Sequence, residues 1–475
     1  MKSIVWKEIA ENIISYRNLI TTGLCIILFL SSALIMTRDY RNRQANYSLR
    51  DAMGKTRTGM RPKIAKPPAP LSILARGLDA NMGRLVFIWW SQPRKEVGAD
   101  VVDPGERNPL FSLFAAPDFV YIIKIVMSIL ALFFAFDSIC GEKERGTLRM
   151  MLASGGTTRG SIILGKWLGG YLSFLICFFP ALLLVLIWMV VHPAADIKGE
   201  DWVRIGFIVL SSLAYISIFL LLGLFASALT HRGATALLII LLLWVVWVIG
   251  APNLGILIAK RLSPVPESLA FMSEKQAIGQ RRFDSQMESF EAYWQADDRY
   301  ITKVNKQADL IQKLTRVSPL ASYTYIATTL ARTGIAESQR YKRAVIDWDR
   351  DIRRTADQQM QEYKKQIEEY NQALESTRQA FGKSLSERGE YGGRPPAVTR
   401  GAEQGGNTGA SVPVAGILPA LPKRPKGAYE WAEEVPFAYK EMHLSEAFGT
   451  IWTDVLLMLL FNVILFMAAY LSFLR

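Results

Sequence analysis

Residues 205–251 read IGFIVLSSLAYISIFLLLGLFASALTHRGATALLIILLLWVVWVIGA. Two apolar runs, each long enough to cross a bilayer at about 20 residues per helix, are parted only by Thr230-His231-Arg232-Gly233. A polar tetrapeptide ending in glycine between two such runs is a tight turn at a membrane surface. The chain leaves the bilayer there and re-enters at once, so the fold is that of a polytopic membrane protein.

Further runs of this kind lie at about 19–37, 119–139, 168–191 and 453–474, which with 205–229 and 234–251 makes six. The 475-residue chain is 51% hydrophobic and 20% charged, and its apolar residues are gathered into those blocks. The sequence therefore predicts a mainly α fold, a six-span polytopic membrane helix bundle with a large, mainly helical exported domain. The first apolar run continues to Met36, too long for the core of a cleavable signal peptide, and is read as a span. The formal net charge of +13 follows from Lys and Arg that flank spans and meet anionic headgroups. Membrane lipid is thus the expected partner, and with no recognition motif beside the charge, nucleic acid is not. Cys25, Cys140 and Cys177 lie in or beside spans, so they imply no disulfide framework in the polar segments. His192, His231 and His443 are scattered, without metal-ligand spacing.

Short-loop Lys and Arg set the orientation. Lys2, Lys7 and Arg17 precede span one; Lys143, Arg145, Arg149, Arg159 and Lys166 occupy the 140–167 connector; Arg232 marks the turn and Arg475 the end. The 192–204 loop instead sets Asp196, Glu200 and Asp201 against Lys198 and Arg204. Both termini and the connector are expected in the cytoplasm. Residues 1–18 form an interfacial helix with Val5, Ile9, Ile13 and Tyr16 along one face. Two segments are left outside. The first, 38–118, is basic and rich in Pro around Pro62 to Pro70. The second, 252–452, carries two amphipathic runs, 283–311 and 345–374, expected to pair antiparallel across Ser318-Pro319. Within it, 382–427 turns to Gly, Pro, Ser and Ala and reads as a flexible loop. The last span is 453–475. Lys124, Asp137 and Asp454 are read as boundary residues of their spans rather than parts of an ion path.

One stretch imitates a phosphate loop. Gly160-Ser-Ile-Ile-Leu-Gly165-Lys166 matches most of that pattern, but Trp167 stands where Ser or Thr is needed, and the segment enters a span rather than following a strand. It is not read as a nucleotide site, and no cofactor is expected in this chain.

The connector is the most distinctive polar stretch. Gly141-Glu142-Lys143-Glu144-Arg145-Gly146-Thr147-Leu148-Arg149, then Leu152, Ser154, Thr158-Arg159 and Leu164-Gly165-Lys166, resembles the permease subunits of ABC-2 type ABC transporters. Trp6-Lys7-Glu8 is similar to the connecting helix of that family. Pro252, Ser318-Pro319, Leu330-Ala331-Arg332-Thr333-Gly334 and Val435-Pro436-Phe437 resemble the branch with a large periplasmic insert between spans five and six, as in gliding-motility and copper-enzyme-maturation permeases. Arg332 departs from the small residue expected there.

The resemblance implies a non-catalytic subunit of an exporter in the bacterial inner membrane. It implies a separate ABC ATPase docking on 141–155, and a dimer with a second permease copy or homologue. Glu142, Lys143, Glu144, Arg145, Gly146, Thr147, Leu148, Arg149 and Leu152 are the implied coupling residues, and Trp6, Lys7 and Glu8 the connecting helix. On physical grounds the mixed charges can set an interface in register. Thr147, Leu148, Met151 and Leu152 can pack on the bundle or fill a partner's groove. The second reading is an ATPase-coupled mechanical or scaffolding membrane protein that moves no solute.

Overall fold

A computed structural model describes residues 2–56, 63–64, 66–79, 85–89, 92–97, 117–148, 150, 158–192, 197–387, 437 and 439–474. The chain divides into two compact units. One comprises Met1–Thr56, Lys63–Ile346 and Ala438–Arg475, the other Arg57–Pro62 with Asp347–Phe437.

The first unit holds six helices long and apolar enough to cross a membrane: Asn18–Leu49, Phe119–Glu144, Arg159–Val191, Gly199–Leu229, Gly233–Leu262 and Leu444–Leu474. All six runs read from hydropathy are there, but hydrogen bonding sets their ends. Thr158 caps span three by accepting the Ser161 N–H at 3.3 Å, so that helix starts at Arg159 and takes in the last part of the expected connector. Asp118 caps span two, accepting from Tyr121 at 2.6 Å and from the Arg76 N–H at 2.8 Å. The helix of span one runs on to Thr56, well into the first insert.

Span five does not stop before Pro252. A π-helical turn, Val245–Gly250, precedes a further helix, Ala251–Leu262. The wider turn accommodates a ring that lacks an N–H and would clash in a regular helix. The Trp247 carbonyl in that turn accepts the Ser318 hydroxyl at 2.7 Å. A second π turn, Ile123–Met127, lies in span two, and the Trp244 indole donates to Ser128 at 2.9 Å, joining the two spans just beside their π turns.

The bundle core gathers around span four. Tyr215, fully buried, stacks on Tyr323 with ring centroids 4.8 Å apart, and Tyr323 shares a hydrogen bond with Ser212 at 2.9 Å. Tyr323 belongs to the helix Pro319–Leu330, which packs against spans four and six. Ser318-Pro319, expected at a turn between two long helices, instead opens this helix.

Gln286–Thr315 takes Ala251–Leu262 and Ser268–Gly279 as its antiparallel partner. A β-carbon on Gly255 would meet Thr315 at 3.0 Å, Gln307 donates to the Ser263 carbonyl at 2.7 Å, Phe271 stacks on Tyr300 at 4.1 Å, and Lys275 pairs with Asp297 at 2.6 Å.

The first insert is not all helix. Lys63–Ile64, Leu85–Trp89 and Gln92–Val97 form a small antiparallel sheet in that order, too short to register in a hydropathy reading. Between its first two strands Leu71, Ile73, Leu74 and Ala75 are buried. Asp79 accepts from Arg43, and Thr333 donates to the Ala75 carbonyl at 2.8 Å.

Two single-residue readings change. Asp454 lies ten residues inside the helix Leu444–Leu474, buried, and accepts both arms of Arg316 at 2.8 and 2.9 Å. It is a matched charge within the bundle rather than the start of a span. Arg332 adopts a left-handed conformation (φ 58°), and its guanidinium reaches Glu441 at 3.0 Å, Asp201 at 3.3 Å and Glu200 at 3.5 Å. Three carboxylates thus account for an arginine where a small residue was expected.

The helix Ile335–Glu387 contributes to both units. In the second unit, Trp348 meets Phe437 edge-on at 5.5 Å, and Arg353 and Asp349 form a buried pair at 2.9 Å. The expected loop 382–427 begins as helix as far as Glu387; its remainder lies outside the described residues.

Candidate functional site

The connector begins where span two ends. After Ala135 the chain makes a turn, and a one-turn helix, Cys140–Glu144, follows. Its start is fixed from span four: the buried Ser227 hydroxyl oxygen accepts the N–H groups of Ile139 at 2.9 Å and Cys140 at 3.0 Å. A hydroxyl oxygen has two lone pairs, and both are used. The helix ends in a turn at Arg145 and Gly146, where φ is +72°, a conformation glycine adopts without steric cost.

Three consecutive charges then bind three different parts of the bundle. Glu142 turns inward to Lys166 of span three at 3.1 Å and Lys7 of the N-terminal helix at 3.3 Å. Lys143 donates to the Ala228 and Thr230 carbonyls, where span four ends. Glu144 accepts the Gly233 N–H at 2.9 Å, where span five begins. A helix exposes unpaired carbonyls at its C-terminus and unpaired N–H groups at its N-terminus, with matching partial charge. The order basic then acidic at 143–144 therefore fits the end of one span and the start of the next. The alternating charge of the connector complements the 230–233 turn beside it.

The N-terminal helix, Lys2–Ile14, joins the same cluster. It packs on span three through two glycines four apart: β-carbons there would meet Ile4 Cγ2 at 2.9 Å from Gly165, and Glu8 Cβ at 2.5 Å from Gly169. Small residues at this spacing let helix backbones approach closely. Glu8 then reaches Lys166 at 2.6 Å, and Lys166, with only 1% of its side chain exposed, also donates to the Ser138 carbonyl at 2.8 Å. Burial pushes the Glu8 carboxyl above the usual range, against the pull of Lys166. Burial lowers the Lys7 ammonium, but Glu142, Glu11 and Glu8 outweigh it and hold it above its ordinary value.

The family model described as ABC-2 family transporter protein matches residues 2–475. The chain belongs to the ABC-2 transporter family. No curated protein matches it.

In this ABC-2 family chain the implied coupling residues sort into an inward and an outward set. Glu142 is buried, Lys143 half-buried, and Glu144, although exposed, caps span five. These charges were expected to face a partner; the structure commits them to the bundle. Thr147 is half-buried, its hydroxyl reaching the Glu142 carbonyl at 3.4 Å, and Leu148 is buried in the core. Arg145, Gly146 and Met150 face outward, Met150 with 70% of its surface exposed. Arg149 and Leu152 lie outside the described residues.

The connecting-helix residues divide likewise. Lys7 and Glu8 join the cluster, while Trp6 is 73% exposed. The stripe expected along Val5, Ile9, Ile13 and Tyr16 is not the buried one: Ile4 and Glu8 are buried, and Ile13 and Tyr16 face out.

Four residues of this cluster do not read as parts of it from the sequence: Lys166, Gly165, Gly169 and Ser227. In the sequence Lys166 reads as a basic residue of the connector, as part of the family resemblance and as the end of an incomplete phosphate loop; it lies in a helix, with its ammonium taken by two carboxylates. A lysine just inside an apolar run was the signal available. Gly165 and Gly169 carried the small-residue spacing. Ser227 carried no signal at all, being one serine among several in span four.

Proposed function

We propose that this chain is the membrane-spanning subunit of an exporter in the bacterial inner membrane, driven by ATP hydrolysis in a separate subunit that seats on 141–155. The observation that carries this reading is the anchoring of the connector. It is continuous with span two, tied to span three and the N-terminal helix through Glu142, and tied to the 230–233 turn through Lys143 and Glu144. A force applied to the outward residues Arg145, Gly146 and Met150 is therefore shared by four spans and the N-terminal helix. That is what a subunit without its own energy source needs. The Lys and Arg bias of the short loops supports a cytoplasmic side for the connector and both termini, where ATP is. A second permease copy or homologue completes the assembly, giving a paired ATPase two connectors to move.

The experiment is to purify the tagged chain from native membranes and identify the co-purifying proteins. An ATPase with complete nucleotide motifs is expected. Arg145→Glu should weaken its binding by about tenfold or more, since reversing a rim charge sets like charges together (1.4 kcal/mol per decade). Failure of the wild type to bring any ATPase defeats the proposal. An ATPase that binds and turns over while no solute moves favours the mechanical reading.

A further inference from the structure

Span four ties the connector to a second cluster, at its other end, that the proposed ATPase contact does not use. The helix Gly199–Leu229 is 31 residues long, about 46 Å at 1.5 Å per residue. It contains neither the proline of span three nor the π turns of spans two and five. Among the described residues its apolar stretch is the most enclosed of the six. Its last turn holds the connector through Ser227 and the Ala228 carbonyl. Near its first turn stands Arg204, with 0% of its surface exposed. The guanidinium donates to Glu200 on the same helix at 2.7 and 3.0 Å, to the Leu330 carbonyl at 3.1 Å and to the Met442 carbonyl at 2.6 Å.

The two carbonyls belong to the stretches by which the chain leaves the first unit and comes back to it. That unit is left after Ile346 and rejoined at Ala438. On the way out the chain passes Leu330, the last residue of the helix Pro319–Leu330, then a turn into Ile335–Glu387. On the return it passes Met442 just before Leu444–Leu474. A helix leaves its last carbonyls unpaired, with partial negative charge there, so Leu330 is a ready acceptor for a cation. Arg332 adds a second tie: its backbone lies in the 331–334 turn, and its side chain reaches Glu200 and Asp201 of span four and Glu441 on the returning stretch. Both arginines thus fasten span four to the same two stretches, 330–334 and 439–443. Apolar packing alone can hold segments together; the rigid fork of a guanidinium also fixes its acceptors in direction.

We infer that Arg204 is a positioning residue of the ATP-driven cycle: through it, span four carries displacement of the connector to 330–334 and 439–443, the two attachments of Asp347–Phe437. The inference rests on the ATPase coupling proposed above and adds the far end to which the motion is delivered. An uninterrupted, enclosed helix that is hydrogen-bonded at both ends moves as one body, because packed side chains have few alternative arrangements.

The test is amide hydrogen exchange, read by mass spectrometry, on the full chain with its ATPase in lipid nanodiscs, with and without ATP and orthovanadate. In the wild type, nucleotide should change exchange at the connector, 139–148, and also at 328–336 and 439–446, by about fivefold or more, the lower end of common coupling between sites. Arg204→Gln should keep the connector's response and lose that of the two far stretches. Arg204→Lys, which keeps the charge and three donors, should recover part of it. A merely structural role would raise exchange at 328–336 and 439–446 equally with and without nucleotide, leaving their ratio as in the wild type. That result overturns the inference, as does a wild type whose connector responds while the far stretches do not. Should Arg204→Gln fail to fold, Arg332→Gln decides: the response at 439–446 should shrink while that at 328–336 stays, and a full response at both overturns the inference. No response at the connector itself fails the ATPase reading, and the inference with it, a result distinct from the others.

Discussion

Gly169→Ala tests whether the N-terminal helix is held to span three by close backbone approach. A β-carbon at 169 would lie 2.5 Å from Glu8 Cβ, 3.2 Å from its Cγ and 3.3 Å from the Val5 carbonyl oxygen. Carbon atoms in good contact sit about 3.5–4.0 Å apart, so the helix Lys2–Ile14 must retreat by roughly 1 Å. Overfilling a packed site costs about 1–3 kcal/mol, and 1.4 kcal/mol is tenfold in an equilibrium. Opening of the docked helix should therefore rise roughly five- to 140-fold. Gly170→Ala is the control, because a β-carbon there meets nothing within 4 Å. Both changes bring the same gain in helix propensity, about 1 kcal/mol, which cancels in the comparison. Amide hydrogen exchange over residues 2–14, read by mass spectrometry on the protein in lipid nanodiscs, reports the opening directly. Equal exchange in the two variants over 2–14 would refute the packing argument.

Lys166→Met leaves Glu8 and Glu142 facing each other without their shared cation; about 3–5 kcal/mol of stability should be lost, seen as a lower unfolding temperature and restored in part by adding Glu8→Gln. Ser227→Ala leaves the Ile139 and Cys140 N–H groups without their acceptor; about 1–3 kcal/mol is expected for an unsatisfied buried group, with faster exchange confined to the start of the connector. Glu8 also gives a pH dependence. Its carboxyl is raised in the folded protein, first by burial, so the associated stability is fully present below the ordinary carboxylate value and is lost as pH rises through the folded one. Wild type should therefore gain on Glu8→Gln as pH falls from 7 toward 4.5, measured as the difference of their unfolding temperatures. Arg332→Gly and Arg332→Ala both remove the ion pairs to Glu200, Asp201 and Glu441, but only glycine also relieves the cost of a β-carbon on a left-handed backbone; the alanine variant should be the less stable of the two in thermal unfolding, by about 1 kcal/mol.

Hydropathy located every span but misjudged several ends, because it reads the thickness of the lipid while a helix ends where its hydrogen bonds do. Thr158 starts span three nine residues ahead of the expected 168, and the π turn before Pro252 lets span five run on to Leu262. The connector was legible as a place: a charged stretch between two spans. The direction of each charge was not, because one helical turn has no periodicity to read. Glu142 finds Lys166 twenty-four residues away and Lys7 in the middle of the chain's first helix, neighbours that only the tertiary packing supplies. The small sheet of the first insert escaped for a similar reason, since its two-residue strand Lys63–Ile64 exists only by pairing with Leu85–Trp89.

The account stands or falls on which connector residues touch an ATPase. A photoreactive amino acid placed singly at Arg145, Met150, Glu142 and Leu148, in membranes containing the native partner proteins, decides it. Positions 145 and 150 face outward, and 142 and 148 are buried. Cross-links from 145 and 150 to an ATPase, with none from 142 and 148, are the predicted result. No ATPase adduct from 145 or 150, or equal labelling from all four positions, would contradict it.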